Sequence, residues 1–293
     1  MKYLIVNADD FGMCNAANEA VFDLFRSGRL YSSTIMMPCP AAEDAVRFSI
    51  ENPQYAIGIH LTLTSEWGTY RWSSLTRGKS LEEPDTGFMW KESDIVEKNV
   101  KYDEVEQELK AQINKALIMG MRPSHADNHM GSLYGHYTGR FGMLKLALKV
   151  CGRYQLPYRM FLKTDRRLCP RGVPYPVFSL LPIFSRLWSK KYNVILPDYM
   201  IFPDWDVPGM RDSYEKYREH ILNIWTDIPD GITETYVHPS VECDELKSIT
   251  ARWQDRVWEY NLLKDPETEK YLLSKGVKMI SYRDLVEMRK KKK

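Results

Sequence analysis

The sequence predicts a single α/β domain, residues 1–293, in which a parallel sheet closes into a TIM-like (β/α) barrel with irregular aromatic loop insertions. Three observations carry this expectation. Short apolar runs alternate with stretches of helical periodicity, the order expected of parallel βαβ units. About seven or eight such units can be read, and closing a barrel is the economical way to protect the edges of their sheet. At 293 residues with 44% hydrophobic content the chain can bury one large core, and α/β barrels reach this length as one domain. An open doubly wound sheet is the structural alternative, but neither of its usual nucleotide signatures, Gly-x-Gly-x-x-Gly or a Walker loop, occurs.

The first strand is the apolar run through Leu4, Ile5 and Val6, which meets Asp9 and Asp10 before Gly12. A strand buried on both faces shows no alternation, and the C-terminal end of such a strand is where α/β proteins place their chemistry. One of the two acids could instead cap the following helix, although Asn15 stands closer to its start. That helix, Asn15 to Arg26, carries Ala17, Ala20, Val21, Leu24 and Phe25 at helical spacing, and Gly28 stops it. Ser32 to Met37 reads as a strand, Ala41 to Ile50 as a helix, and Ala56 to Ile59 as a strand with His60 at its end.

Periodicity then disappears from Leu61 to Ser93, where Trp67, Tyr70, Trp72, Phe88 and Trp90 stand among Gly, Pro and charged residues. A loop this long is functional or disordered, and its rings argue against disorder. They serve either as stacking faces for a flat ligand or as packing for the loop itself. Val96 to Met119 reads as one long amphipathic helix, and Pro123 leads into Ser124-His-Ala-Asp-Asn-His129. Leu144 to Tyr154 is expected to be helical, Pro157 to Phe161 a strand, and Leu162 to Pro176 a second irregular insertion. Phe178 to Trp188 reads as a short apolar helix interrupted by Pro182. Asp198 to Pro208 reads as a strand running into an aromatic, acidic loop, and Tyr214 to Trp225 as a helix. Gly231 to Val237 is a strand ending in His238-Pro239, and Gln254 to Leu263 and Glu267 to Leu273 are helices. Val277 to Ile280 closes the set of strands before a terminal helix from Arg283.

Lys plus Arg number 41 and Asp plus Glu 39, so the formal charge of +2 gives no field that would select nucleic acid or an anionic membrane as partner. The basic run from Arg289 to Lys293 reads as a solvated end. Cys14, Cys39, Cys151, Cys169 and Cys243 form no Cys-x-x-Cys pair, and an odd count suits reduced thiols. The apolar start meets Asp9 too early for a signal peptide, and no stretch approaches the ~20 residues of a membrane span, so a cytoplasmic protein is expected.

The chemistry is expected where ionisable residues meet strand ends: Asp9 and Asp10 after one strand, His60 after a second, His125, Asp127 and His129 after a third, His238 after a late one. A lone histidine at a strand end is ordinarily a core or capping residue, but several on one rim converge on one pocket. In an extended backbone His125, Asp127 and His129 point to one side; in a helix His125 and His129 would be neighbours able to share a metal. Adjacent acids in a strand diverge, which suggests that one binds metal while the other holds a proton. Two imidazoles and one carboxylate leave coordination positions open and suit zinc, cobalt, nickel or manganese more readily than magnesium.

Asn7-Ala-Asp-Asp-Phe-Gly12, Gly58-Ile-His-Leu-Thr-Leu-Thr64, Pro123-Ser-His-Ala-Asp-Asn-His129 and Tyr236-Val-His-Pro239 resemble, in order, the motifs of the YdjC-like carbohydrate deacetylases, which include the chitooligosaccharide deacetylases. The resemblance covers most of the chain. It implies a distorted (β/α) barrel, one divalent metal ion (magnesium or zinc, with cobalt, nickel and manganese open), and removal of an N-acetyl group from a mono- or oligosaccharide. By the same resemblance Asp10, His60 and His129 are the metal ligands, Asp9 the general base and His238 the acid. Relatives often carry further histidines where Met130 and Gly131 stand here. Asp127 is expected to orient a ligand histidine, His125 to bind substrate or support that arrangement, and Trp67, Tyr70 and Trp72 either to stack on sugar or to pack the loop. Another metal hydrolase, cleaving an ester or phosphoester, and a non-catalytic sugar-binding protein are the rival readings. The expected partner is an acetylated saccharide, and the sequence leaves a homodimer open.

Overall fold

A computed structural model of the chain describes residues 1–204 and 207–291; the part of the expected acidic loop at Trp205 and Asp206, and the last two residues of the basic run, lie outside the described residues. Among the described residues seven parallel strands form one curled sheet: β1 (Lys2–Phe11), β2 (Ser32–Ile35), β3 (Ala56–Leu61), β4 (Ala126–Asn128), β5 (Tyr199–Met200), β6 (Gly231–Val237) and β7 (Val277–Met279). Their order is β4-β3-β2-β1-β6-β5, and β7 joins β1 beside this path. β1 is long enough to have three partners. β6 follows it from Lys2 to Ala8, while β7 takes its other edge at Lys2 to Leu4 and β2 takes over from Asn7.

Between β4 and β5 the sheet is completed by backbone hydrogen bonds. Arg159 N donates to Ala126 O at 3.0 Å, Tyr158 N to Ile195 O at 3.0 Å, Leu162 N to Asp198 O at 3.0 Å, and Asp198 N to Ile232 O at 2.9 Å. The strand expected at Pro157 to Phe161 is reduced to a bridge between Tyr158 and Ala126. The result is a distorted TIM-like barrel wrapped in helices.

Even positions of β1, Leu4, Val6 and Ala8, enter the main core under the helices. Odd positions face the barrel interior, where Ile5 packs with Ile280 and Tyr282 and the polar Asn7 and Asp9 stand above it. This is why the run shows no simple alternation: its inner face is apolar at the bottom and polar at the top. Gly58 in β3 is required by a close approach, since a Cβ there would come within 2.4 Å of the His125 carbonyl oxygen.

The long helix expected from Val96 to Met119 is two helices, Ser93–Asn99 and Tyr102–Ile118, because Val100 is extended and the Lys101 amide is taken by the Ser80 hydroxyl. Pro182 does not interrupt a helix; it lies in the first turn of Leu181–Tyr192, where its missing N–H is not needed. The loop from Leu61 to Ser93 is held by buried acids: Glu108 accepts from the amides of Leu75 and Thr76, and Glu82 from that of Ser74. Among the described residues no helix is long and apolar enough to cross a membrane.

Candidate metal centre

β1, β3 and β4 run parallel in one sheet, with β2 between β1 and β3, so their C-terminal ends deliver Asp9, Asp10, His60 and Asp127 to one rim, and the turn after β4 adds His129. The expectation that Asp9 and Asp10 diverge is corrected here. Asp10 has φ +59°, and the register with β2 slips between Ala8 and Phe11, so the alternation of a regular strand is broken. Both carboxylates reach His60: Nε2 lies 3.9 Å from Asp9 Oδ2 and 3.5 Å from Asp10 Oδ1. Asp is one of the few residues other than glycine that visits this region, and such strain costs about 1–3 kcal/mol.

Among the described residues two groups of three ionisable residues lie close enough to hold an ion, Asp10-His60-His129 and Asp9-His60-Asp127, and every member is buried. Their hydrogen bonding differs. In the second group both Asp9 oxygens accept from Arg159, each at 2.6 Å, and Asp127 accepts from Thr34 at 2.8 Å while its other oxygen meets His60 Nδ1 at 2.6 Å. In the first group Asp10 Oδ2 accepts from Arg256 at 2.8 Å, whereas Asp10 Oδ1 is buried with no hydrogen-bond partner. That orphaned oxygen stands 3.3 Å from His129 Nδ1, and the two imidazole nitrogens are 3.3 Å apart. Ligands ~2.1 Å from a tetrahedral ion stand about 3.4 Å from one another, so these three atoms fit a zinc-like divalent ion.

Each imidazole is oriented by a carboxylate on its other nitrogen. Asp127 takes His60 Nδ1, and Glu66 lies 2.9 Å from His129 Nε2, the arrangement that fixes a metal-binding histidine. Burial alone would lower both imidazoles, but Asp127 and Asp9 push His60 up to about 10, and Glu66 with Asp10 pushes His129 up to about 9. Burial alone would raise the two acids; Arg159 and then His60 outweigh it at Asp9, and Arg256 with the two imidazoles outweighs it at Asp10, so both carboxyls sit below their ordinary value.

Behind these residues lies a buried ionic layer. Arg159 also binds Asp127 at 2.8 Å and Glu234 at 2.7 Å. Burial pushes Glu234 up to about 7 despite Arg159. Asn7 joins the layer through donations to Asp9, Thr34 and Asp127. His125 does not reach the cavity. It is fully buried, with Nε2 3.0 Å from Asn7 Oδ1 and its ring stacked at 3.7 Å on Tyr282, so it supports Asn7 and is corrected as a substrate contact.

A cavity of about 790 Å³ opens over the centre and is lined by Asp9, Asp10, His60, His129, Trp67 and His238, among others. His238 follows β6, which pairs with β1 as far as Ala8 and Val237, its amide bonded to Glu259 at 2.6 Å and its ring about one-quarter exposed. Of the three loop aromatics, Trp67 lines the cavity, with the Arg256 guanidinium 5.5 Å over its ring. Trp72 is corrected: it is 3% exposed and donates to the Thr64 carbonyl, so its ring packs the loop. Tyr70 is half-buried and donates to the Met13 carbonyl at 2.8 Å, which likewise tethers the loop.

Sequence reasoning missed Arg159, Arg256 and Glu66. A lone arginine inside the apolar stretch Pro157 to Phe161 was a readable sign of a buried ion pair; Arg256 and Glu66 carried no such sign.

The family model of YdjC-like proteins matches residues 3–274. A carbohydrate deacetylase of Geobacillus stearothermophilus is 27% identical over 288 residues, covering 98% of this chain and 99% of its own length. A chitooligosaccharide deacetylase of Yersinia enterocolitica is 38% identical over 130 residues, 44% of this chain and 49% of its own. A crystal structure of a putative cellobiose-phosphate cleavage protein from Enterococcus faecalis superposes with a TM-score of 0.74 at 26% identity, covering 97% of this chain and 98% of that one.

Proposed function

The chain belongs to the YdjC-like family, and from that premise we propose that it is a metal-dependent carbohydrate deacetylase that hydrolyses the N-acetyl group of an acetylated mono- or oligosaccharide and releases acetate. The enzyme class is that of the relatives named carbohydrate deacetylase, one of which aligns over nearly the whole chain. The observation that carries the metal-dependent reading is the unpartnered Asp10 Oδ1 facing two imidazole nitrogens at 3.3 and 3.5 Å, beside a second carboxylate, Asp9, that is not needed as a ligand.

An ion held by Asp10, His60 and His129 would supply Lewis-acid polarisation of the acetamide oxygen and acidification of water. The remaining work falls to the chain's own residues. Asp9, held ionised by Arg159, receives the proton of the attacking water as its oxygen adds to the acetamide carbon. His238, at the end of the strand beside that of Asp9, gives a proton to the sugar nitrogen as the C–N bond breaks. Trp67 offers the ring on which a sugar face can stack. Asp127, Glu66 and Arg256 keep the ligand atoms turned inward.

Incubation of the metal-loaded protein with N-acetylglucosamine and diacetylchitobiose should yield acetate and free amine in equal amounts. Phosphate release from sugar phosphates without acetate release would replace this reading with that of a phosphoesterase.

A further inference from the structure

The chain's charge of +2 conceals one strongly uneven segment. Between Leu162 and Tyr192 there are seven Lys or Arg against a single acid, Asp165. Three of these cations are paired with acids: Lys163 with Asp198, Arg167 with Asp165, and Arg171 with Asp204. Arg166, Arg186, Lys190 and Lys191 remain to give the surface its sign. The same segment holds a cluster of large apolar side chains facing solvent: Val177, Leu180, Ile183 and Leu187 are each more than half exposed. The helix Leu181–Tyr192 is thus two-faced. Phe184 stacks on Phe141 at 4.9 Å and on Trp188 at 5.3 Å, which pins one side to the body. The other side presents leucine and isoleucine beside Arg186, Lys190 and Lys191.

The inner surface of this segment reaches the catalytic cavity. Val173, Val177, Phe178 and Leu181 line it, together with Met160 and Phe202, and add an apolar lining to the cavity that holds the ionisable centre. A sugar alone does not need such a wall. A hydrocarbon chain attached to the sugar would fill it and leave toward the exposed leucines.

We propose that the outward face of Val177–Lys191 docks on an anionic lipid surface, and that the substrate is an N-acetylated sugar bearing a hydrocarbon chain that enters the cavity from this side. The second half of this inference rests on the deacetylase reading; the first does not. An apolar helix face flanked by Lys and Arg is the chemistry of a helix lying in a membrane interface. A second copy of the chain is the poorer occupant, because a two-fold contact would set the same cations against themselves, whereas anionic headgroups neutralise them.

Two measurements separate the claims. The protein should co-sediment with mixed phosphatidylcholine–phosphatidylglycerol vesicles and not with phosphatidylcholine alone. Leu180→Glu with Leu187→Glu should abolish this, and Lys190→Ala or Lys191→Ala should weaken it about fivefold each. Acetate release from a dodecyl glycoside of N-acetylglucosamine should exceed that from the methyl glycoside by about tenfold or more in kcat/KM. The leucine variant, being altered only on the surface, should keep its activity on the methyl glycoside. Absence of vesicle binding overturns the docking face, as does a wild-type dimer that Leu187→Glu dissociates. Equal kcat/KM for the two glycosides overturns the substrate class. No acetate from either glycoside would instead fail the deacetylase reading, and the sedimentation result would still decide the docking face.

Discussion

Replacing Asp9 and Asp10 one at a time by asparagine should separate the two tasks proposed for these adjacent carboxylates. Asp9 gives both oxygens to Arg159 at 2.6 Å and accepts from Asn7 at 2.9 Å, while its nearest approach to His60 Nε2 is 3.9 Å. Asp9→Asn should therefore leave the Asp10, His60 and His129 atoms proposed as ligands in place and keep the metal. Arg159 retains Asp127 and Glu234 as counter-charges, so the loss in stability is about that of a charge-assisted hydrogen bond, ~1.5–3 kcal/mol. Activity should fall ~10²–10⁴-fold, the worth of a positioned base, which is about 3–5 kcal/mol in the barrier. Asp10→Asn, by contrast, removes the charge from an oxygen that no hydrogen bond satisfies, and should lower metal content and activity together. Metal content by plasma emission and kcat by acetate release read the two quantities separately. Metal lost from the Asp9 variant and retained in a slow Asp10 variant would refute the assignment and exchange the roles.

Three further outcomes follow from the same geometry. With the metal absent, His60 and His129 are pushed up to about 10 and about 9, so both are protonated at neutral pH and an ion must displace two protons; affinity should rise about a hundredfold per pH unit below pH 9, and calorimetry in buffers of different ionisation enthalpy would contradict this by finding no proton release. Arg159→Met leaves Asp9, Asp127 and Glu234 buried without their common cation, and denaturant unfolding should show a loss of about 3–5 kcal/mol; a loss under 1 kcal/mol would mean that the layer reorganises. Trp67→Ala should raise KM with stability nearly unchanged, whereas Trp72→Ala, emptying a buried site, should cost about 3–5 kcal/mol of stability; the opposite pattern would return Trp72 to the substrate.

The strand ends were legible because a buried strand announces itself as a short apolar run and its end as the first acid or histidine. β1, β3 and β6 could be read in this way, and with them the positions of Asp9, Asp10, His60 and His238. What the sequence could not show was the turn at Asp10, whose positive φ brings two neighbouring carboxylates to one rim; pattern reading assumes regular alternation. Nor could it pair Asp10 with Arg256, 246 residues away, since an ion pair between a strand end and a helix leaves no periodic trace. The aromatic loop misled for a related reason. Trp67 and Trp72 look alike in sequence, and only the folding of the loop onto Thr64 buries one and leaves the other facing the cavity. The break at Val100 was equally hidden, because Ser80, which takes the Lys101 amide, comes from that same irregular stretch.

The most direct measurement strips the protein with a chelator, adds back one equivalent of zinc, cobalt, nickel, manganese or magnesium, and follows acetate from diacetylchitobiose beside a His129→Ala control. The geometry of Asp10, His60 and His129 predicts no acetate from the stripped protein, recovery with at least one of these ions at a stoichiometry of about one, and no recovery in the control. Full acetate release by the stripped protein, or equal recovery by the His129→Ala variant, would contradict it.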